Sequence, residues 1–80
     1  MRSTLDQLIG SRTRTKVLRL LLTNPAKSYF VREISRKVHE HVNSVRRELQ
    51  LLQAVDIVSV SGNGQKRYYR ANTASGIFPE

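Results

Sequence analysis

Eighty residues are enough for one small domain with a single thin core, and a hydrophobic share of 39% with 25% charged residues is that of a globular chain and argues against disorder throughout. Fourteen Lys and Arg against six Asp and Glu leave a formal net charge of +8 and a pI near 10.9, which fits a partner with many negative charges, nucleic acid before an anionic membrane. With no cysteine, no apolar run approaching the ~20 residues of a membrane span and no signal-peptide pattern in residues 1–20, disulfides and thiolate metal sites are excluded and a cytoplasmic location is expected.

Residues 1–9, MRSTLDQLI, carry Leu5, Leu8 and Ile9 at helical spacing and read as a short helix or an arm, ended by Gly10. Ser11 is the expected N-cap of a first helix running to about Thr23. Val17, Leu18, Leu21 and Leu22 form its broad apolar face, and Arg12, Arg14, Lys16 and Arg19 spread over the rest. Asn24 and Pro25 stop it, because a residue before proline is pushed out of the α region. KSYF, residues 27–30, favours a short β piece. VREISRKV then places apolar residues at 31, 34 and 38 and predicts a second, short helix. HEHV, residues 39–42, interrupts it. A third helix is expected from about Asn43 to Ala54, with Val45, Leu49 and Leu52 at i, i+4 and i+7 pointing inward.

After Asp56 the hydrophobic period drops to that of a strand. IVSVS alternates, GNG at 62–64 is a turn, and QKRYYR alternates again, a strong hairpin signal. The tail ANTASGIFPE has no periodicity, although Ile77 and Phe78 offer apolar side chains for docking. A lone hairpin is not stable in water, so this one must pack on the helices, and the piece near Tyr29 can add a third strand. Two short helices joined by a four-residue turn and followed by a hairpin predict an α+β fold, a winged helix-turn-helix. Its three-helix core covers about residues 9–72, with an arm or short helix at 1–8 and a tail at 73–80.

SRTRTKVLRLLLTNP, YFVREISRKV, NSVRRELQLL and NGQKRYYRAN resemble the winged-helix domains of the ArsR class of prokaryotic transcription regulators. They are still more similar to the small DNA-binding domain associated with minimal nucleotidyltransferase proteins, where GSRTR, YYRAN and FPE follow in the same order. The resemblance covers about residues 8–80. It implies sequence-specific binding of double-stranded DNA by a transcription regulator, a repressor, or alternatively a DNA-targeting domain for a nucleotidyltransferase partner. ArsR-type proteins dimerise through terminal helices, so a homodimer would use residues 1–22. The family often has glycine at the end of its second helix, where this chain has His39, and AGL at the end of its third, where this chain has VDI. Asp56 is an acceptable stand-in, because Asp tolerates the left-handed conformation better than most residues.

Helical geometry picks out the outward face of the third helix. With Val45 at zero and about 100° per residue, Leu49 and Leu52 fall near about 40° and 340°, while Asn43, Gln50 and Arg47 fall near about 160°, 140° and 200°, opposite the core. Arg46 and Ser44 lie on the flanks. The N-terminal part of such a helix enters the major groove in helix-turn-helix proteins. There Arg bonds guanine, and Asn or Gln bonds adenine, through two atoms at once. Ser44 and the free N–H groups of the first turn suit phosphate. Lys66 and Arg67 follow the hairpin tip and suit the DNA backbone or the minor groove. Arg32, in the first turn of the second helix, is a candidate backbone clamp, with Arg36 and Lys37 weaker candidates.

The competing readings are bland. The arginines would be a solvated helix face, Glu48 would pair only weakly with Arg46 or Arg47, and the basic hairpin would be an edge protected against aggregation. Leu51 would be an ordinary exposed leucine. HEH at 39–41 has no third ligand nearby, so no metal site is expected. GNG is a hairpin tip rather than a phosphate-cradling loop. No nucleophile–base grouping or paired carboxylates can be argued, so neither cofactor nor enzyme activity is expected. A winged helix used for protein or RNA contacts is the remaining alternative to DNA.

Overall fold

The first apolar stripe winds into α1, Arg12–Thr23. The computed structural model describes residues 12–64 and 66–73. The arm at 1–9, Ser11 as N-cap, Gln65, and the tail with Ile77 and Phe78 lie outside the described residues. Val17 and Leu21, one turn apart, are the fully buried pair of α1, and Leu18 and Leu20 pack against the core beside them. Leu22, expected on the inner face, is exposed instead. The reason is angular: a core direction bisecting Val17 and Leu21 leaves Leu18 and Leu20 about 80° to either side and Leu22 about 120° away. The helix ends before Pro25, where the Thr23 hydroxyl donates to the Arg19 carbonyl at 2.6 Å.

At Tyr29 the chain meets the hairpin for a single residue. The Tyr29 and Tyr69 backbones exchange hydrogen bonds of 2.9 and 2.8 Å. The expected third strand is therefore one bridge, because Phe30 already serves as N-cap of α2, Val31–Val38. Phe30 has no side-chain oxygen to cap with, but Glu33 reaches back and accepts from its N–H at 3.4 Å. α2 buries Ile34 and Val38.

The turn after α2 has three residues rather than four, since α3, Val42–Ala54, begins one residue earlier than its apolar spacing suggests. His39 closes α2 in the left-handed conformation, φ 58° and ψ 47°. Its N–H and that of Glu40 both donate to the Ser35 carbonyl, satisfying an end that helices usually close with glycine. A side chain in this conformation costs ~1–2 kcal/mol, and glycine gives back ~0.5–1 kcal/mol in lost backbone freedom. His39→Gly is thus expected to be neutral or to stabilise the fold by up to ~1.5 kcal/mol in denaturant titrations. A clear loss of stability would mean that the imidazole itself holds the turn. Asp56, the other non-glycine residue in this region at φ 64°, follows α3, where a stand-in for glycine was expected.

Strand β1, Val58–Asn63, pairs antiparallel with β2, Lys66–Ala71, in a register running from Val58↔Ala71 to Asn63↔Lys66. The pairing runs out to Asn63 and Lys66, so Gly62 and Asn63 belong to the strand and the turn is not at 62–64. A turn at 62–64 would have set Val60 opposite Lys66 and Val58 opposite Tyr68. The observed register puts Val58 with Ala71 and Val60 with Tyr69, so the apolar side chains share one face. Gly62 still has a reason to be glycine: φ is +84°, and a Cβ there would collide with the Lys66 carbonyl oxygen. The hairpin base is tied to the end of α3 by Asn72, whose N–H donates to the Ile57 carbonyl and whose side chain donates to the Asp56 carbonyl, both at 2.9 Å.

α1 packs against both α2 and α3, β1 rests on α3, and β2 touches α1 and α2. The most deeply buried side chains, Leu21, Ile34, Leu49, Val17, Val45 and Val58, come from every helix and from the hairpin. This is an α+β winged helix-turn-helix, with α2 and α3 around the turn and the hairpin as the wing. Among the described residues no helix is long and apolar enough to cross a membrane.

Candidate nucleic-acid interface

The burial of Val45, Leu49 and Leu52 decides what α3 turns outward. Asn43, Arg46, Arg47 and Gln50 are exposed, and Ser44 is half-buried. Arg46 Nη1 donates to Asn43 Oδ1 at 3.2 Å, a pair three residues apart on one face. Arg47 has no hydrogen-bond or ion-pair partner among the described residues. His41, the N-cap of α3, makes no side-chain cap bond. The first-turn N–H groups therefore have no side-chain acceptor there.

Arg46 and Gln50, one turn apart, help line a groove of about 730 Å³ between the helix-turn-helix and the wing. Arg32 and Arg36 of α2 line it too, as do Gly64 and Arg67 of the wing, so among the described residues four arginines and one carboxylate, Glu33, line the groove. Phe30 also lines it, its ring tilted 35° against that of Tyr68 with centroids 4.4 Å apart. Of the residues singled out from sequence, Arg32, Arg46, Gln50 and Arg67 are brought together here. Ser44, Arg47 and the exposed Lys66 stand outside the groove, and Asn43 is linked to it through Arg46. Arg36, ranked low by sequence, sits in the groove. Its place four residues after Arg32 was the signal, since such residues share a helix face. Nothing in the sequence marked Phe30.

Two carboxylates have partners that neighbouring positions did not suggest. Glu48 is not loosely paired with Arg46 or Arg47. It is buried, at 7% exposure, and Oε2 accepts from Arg14 Nε on α1 at 2.6 Å. Glu40, in the turn, accepts from Thr13 Oγ1 at 3.1 Å and from Lys16 Nζ at 2.7 Å. Lys16 also donates to the Val38 carbonyl at 3.1 Å, and Ser35 Oγ donates to the Glu40 carbonyl. The Lys16 and Thr13 hydrogen bonds hold the Glu40 carboxyl below the usual carboxylate range. A lowered value means that this contribution is present above the ordinary range and is lost as pH falls through the lowered value. Melting temperature should therefore fall less steeply with acid in Glu40→Gln than in the parent. Identical acid limbs would remove Glu40 from the fold's pH response. The histidines beside it occupy the turn and α3 N-cap positions. Among the described residues no group of three or more His, Cys, Asp or Glu gathers as a metal site would.

This arrangement is similar to solved structures. Reduced HlyU from Vibrio cholerae N16961, an ArsR/SmtB-type winged-helix regulator, matches with a TM-score of 0.66 and 20% identity, over 85% of this chain and 68% of its own. Human N-acetylserotonin methyltransferase (ASMT), solved in complex with SAM, matches with a TM-score of 0.56 and 16% identity over 89% of this chain, which spans 25% of that enzyme. No protein-family model and no curated protein matches the sequence. At these identities the likeness establishes the winged-helix fold.

Proposed function

We propose that this chain is a sequence-specific double-stranded DNA-binding domain of a prokaryotic, cytoplasmic transcription regulator that represses by occupying its operator. The observation that carries the reading is the groove, where Arg46 and Gln50 of the recognition helix meet Arg32, Arg36 and Arg67 from two other elements. A basic surface built from a helix and a wing follows a duplex: the helix enters the major groove and the wing lies along the backbone or in the minor groove. Asn43, Arg47 and Gln50 read base edges, while Ser44, Arg32, Lys66 and Arg67 hold phosphates. The likeness to HlyU supports the same reading. A homodimer belongs to it as an extension, a nucleotidyltransferase partner is the alternative that the resemblance carries, and half of the stretch expected to dimerise, residues 1–11, lies outside the described residues.

Selecting bound duplex from a random DNA pool tests the proposal, and a palindromic site would indicate a dimer. With the selected duplex in hand, two substitutions should differ in kind. Arg47→Ala should cost ~1–3 kcal/mol and relax preference at one base pair. Lys66→Ala should weaken selected and scrambled duplexes alike and lower the salt slope by about one. Both side chains are exposed, so melting temperatures should stay near the parent's. If Arg47→Ala weakens both duplexes equally, it holds phosphate, and readout passes to Asn43, Gln50 or Arg46. A pool that yields no preferred duplex, with RNA bound as well as DNA, sinks the proposal.

A further inference from the structure

The bond between Glu48 and Arg14 is a contact that stability alone does not require. A carboxylate taken out of water loses hydration that its ion pair only roughly offsets, and apolar side chains of similar volume commonly hold two helices as well. Apolar contacts tolerate small rotations. A charge-assisted bond of 2.6 Å between one nitrogen and one oxygen tolerates far less. Glu48 lies one turn after Ser44, at the middle of α3 between the outward side chains of Arg47 and Gln50. Any rotation of α3 that breaks this bond carries Asn43, Arg46, Arg47 and Gln50 with it. The same end of α1 also holds the turn, through Thr13 and Lys16 on Glu40. The helix-turn-helix is thus gripped at the turn and within α3 by one helix that presents no residue to the groove.

We infer that Glu48 and Arg14 are positioning residues, which set the rotation of the recognition helix against α1 and thereby the discrimination between DNA sequences, while contributing little to stability. The inference rests on the DNA-binding reading above. Base contacts need their side chains held within about 0.5 Å and 10–20° of the productive geometry, a tolerance that a sliding apolar contact exceeds.

The double variant Arg14→Met/Glu48→Leu tests this, because it removes one charge of each sign and leaves the net charge unchanged. Thermal melts and the affinity ratio between selected and scrambled duplexes are measured at fixed salt. The double variant should melt near the parent and keep its affinity for scrambled DNA, yet lose about tenfold in the ratio, the size of one lost base-pair preference. Glu48→Gln leaves Arg14 an acceptor and should keep the ratio within about threefold of the parent. A folded double variant with the parent's ratio overturns the inference. An unfolded one overturns the claim about stability, and Arg14→Lys then decides positioning: it keeps the charge but has no donor where Nε stands, and an unchanged ratio there overturns the role. A parent that does not distinguish the two duplexes overturns the DNA-binding reading itself, and this inference with it.

Discussion

Leu49→Ala should unfold the domain or weaken it by ~2–5 kcal/mol, the range for deleting a buried leucine side chain. Leu49 is fully buried at the centre of α3, in the cluster that also holds Val17, Ile34 and Val58. That cluster joins the three described helices to the wing, so a cavity there is felt by each of them. A domain of this size has a total stability of only about 5–10 kcal/mol, and the loss would take a large share of it. Chemical denaturation read by circular dichroism measures the change. If Leu49→Ala melts like its parent, α3 is rotated from its described orientation, and the outward assignments of Asn43, Arg47 and Gln50 fall with it.

The second large effect is expected in salt. Arg32, Arg46, Arg47, Lys66 and Arg67, if each sits on or beside a phosphate, release about five counterions, which gives a slope of log K against log salt of roughly −4 to −5 per monomer. Between about 50 and 200 mM salt that slope weakens binding several hundred-fold. Arg36 in the groove pushes the value to the steeper end. Fluorescence anisotropy with a labelled duplex at four salt concentrations gives the slope directly. A slope near zero would take DNA out of the functional reading and favour a protein partner.

The three helices were legible because each carries its own period. Val45, Leu49 and Leu52 are buried as their spacing requires, and α2 was found on apolar residues 31, 34 and 38. The hairpin was legible from alternation, but not its register. Local turn chemistry put the tip on Gly62–Gly64, whereas the pairing is set by which side chains share the core face, a condition that involves both strands and the helices beneath. The candidate site followed the same division. Exposure of Arg46, Arg47 and Gln50 is a property of one helix and can be read from a wheel. The gathering of Arg32, Arg46 and Arg67 around one groove depends on how three elements pack. Glu48–Arg14 and Glu40–Lys16 join residues 34 and 24 positions apart, and no local pattern predicts a partner at such distance.

The thirteen residues of α3 keep two kinds of information on separate surfaces. Val45, Leu49, Leu52 and Glu48 face inward, and the conformations that bound the helix are carried by His39 and Asp56, outside it. Asn43, Arg46, Arg47 and Gln50 bear almost none of the folding load. A library randomised at those four positions alone should therefore consist mostly of folded members, and under the DNA-binding proposal selection on different duplexes should draw different address-readers from one unchanged backbone.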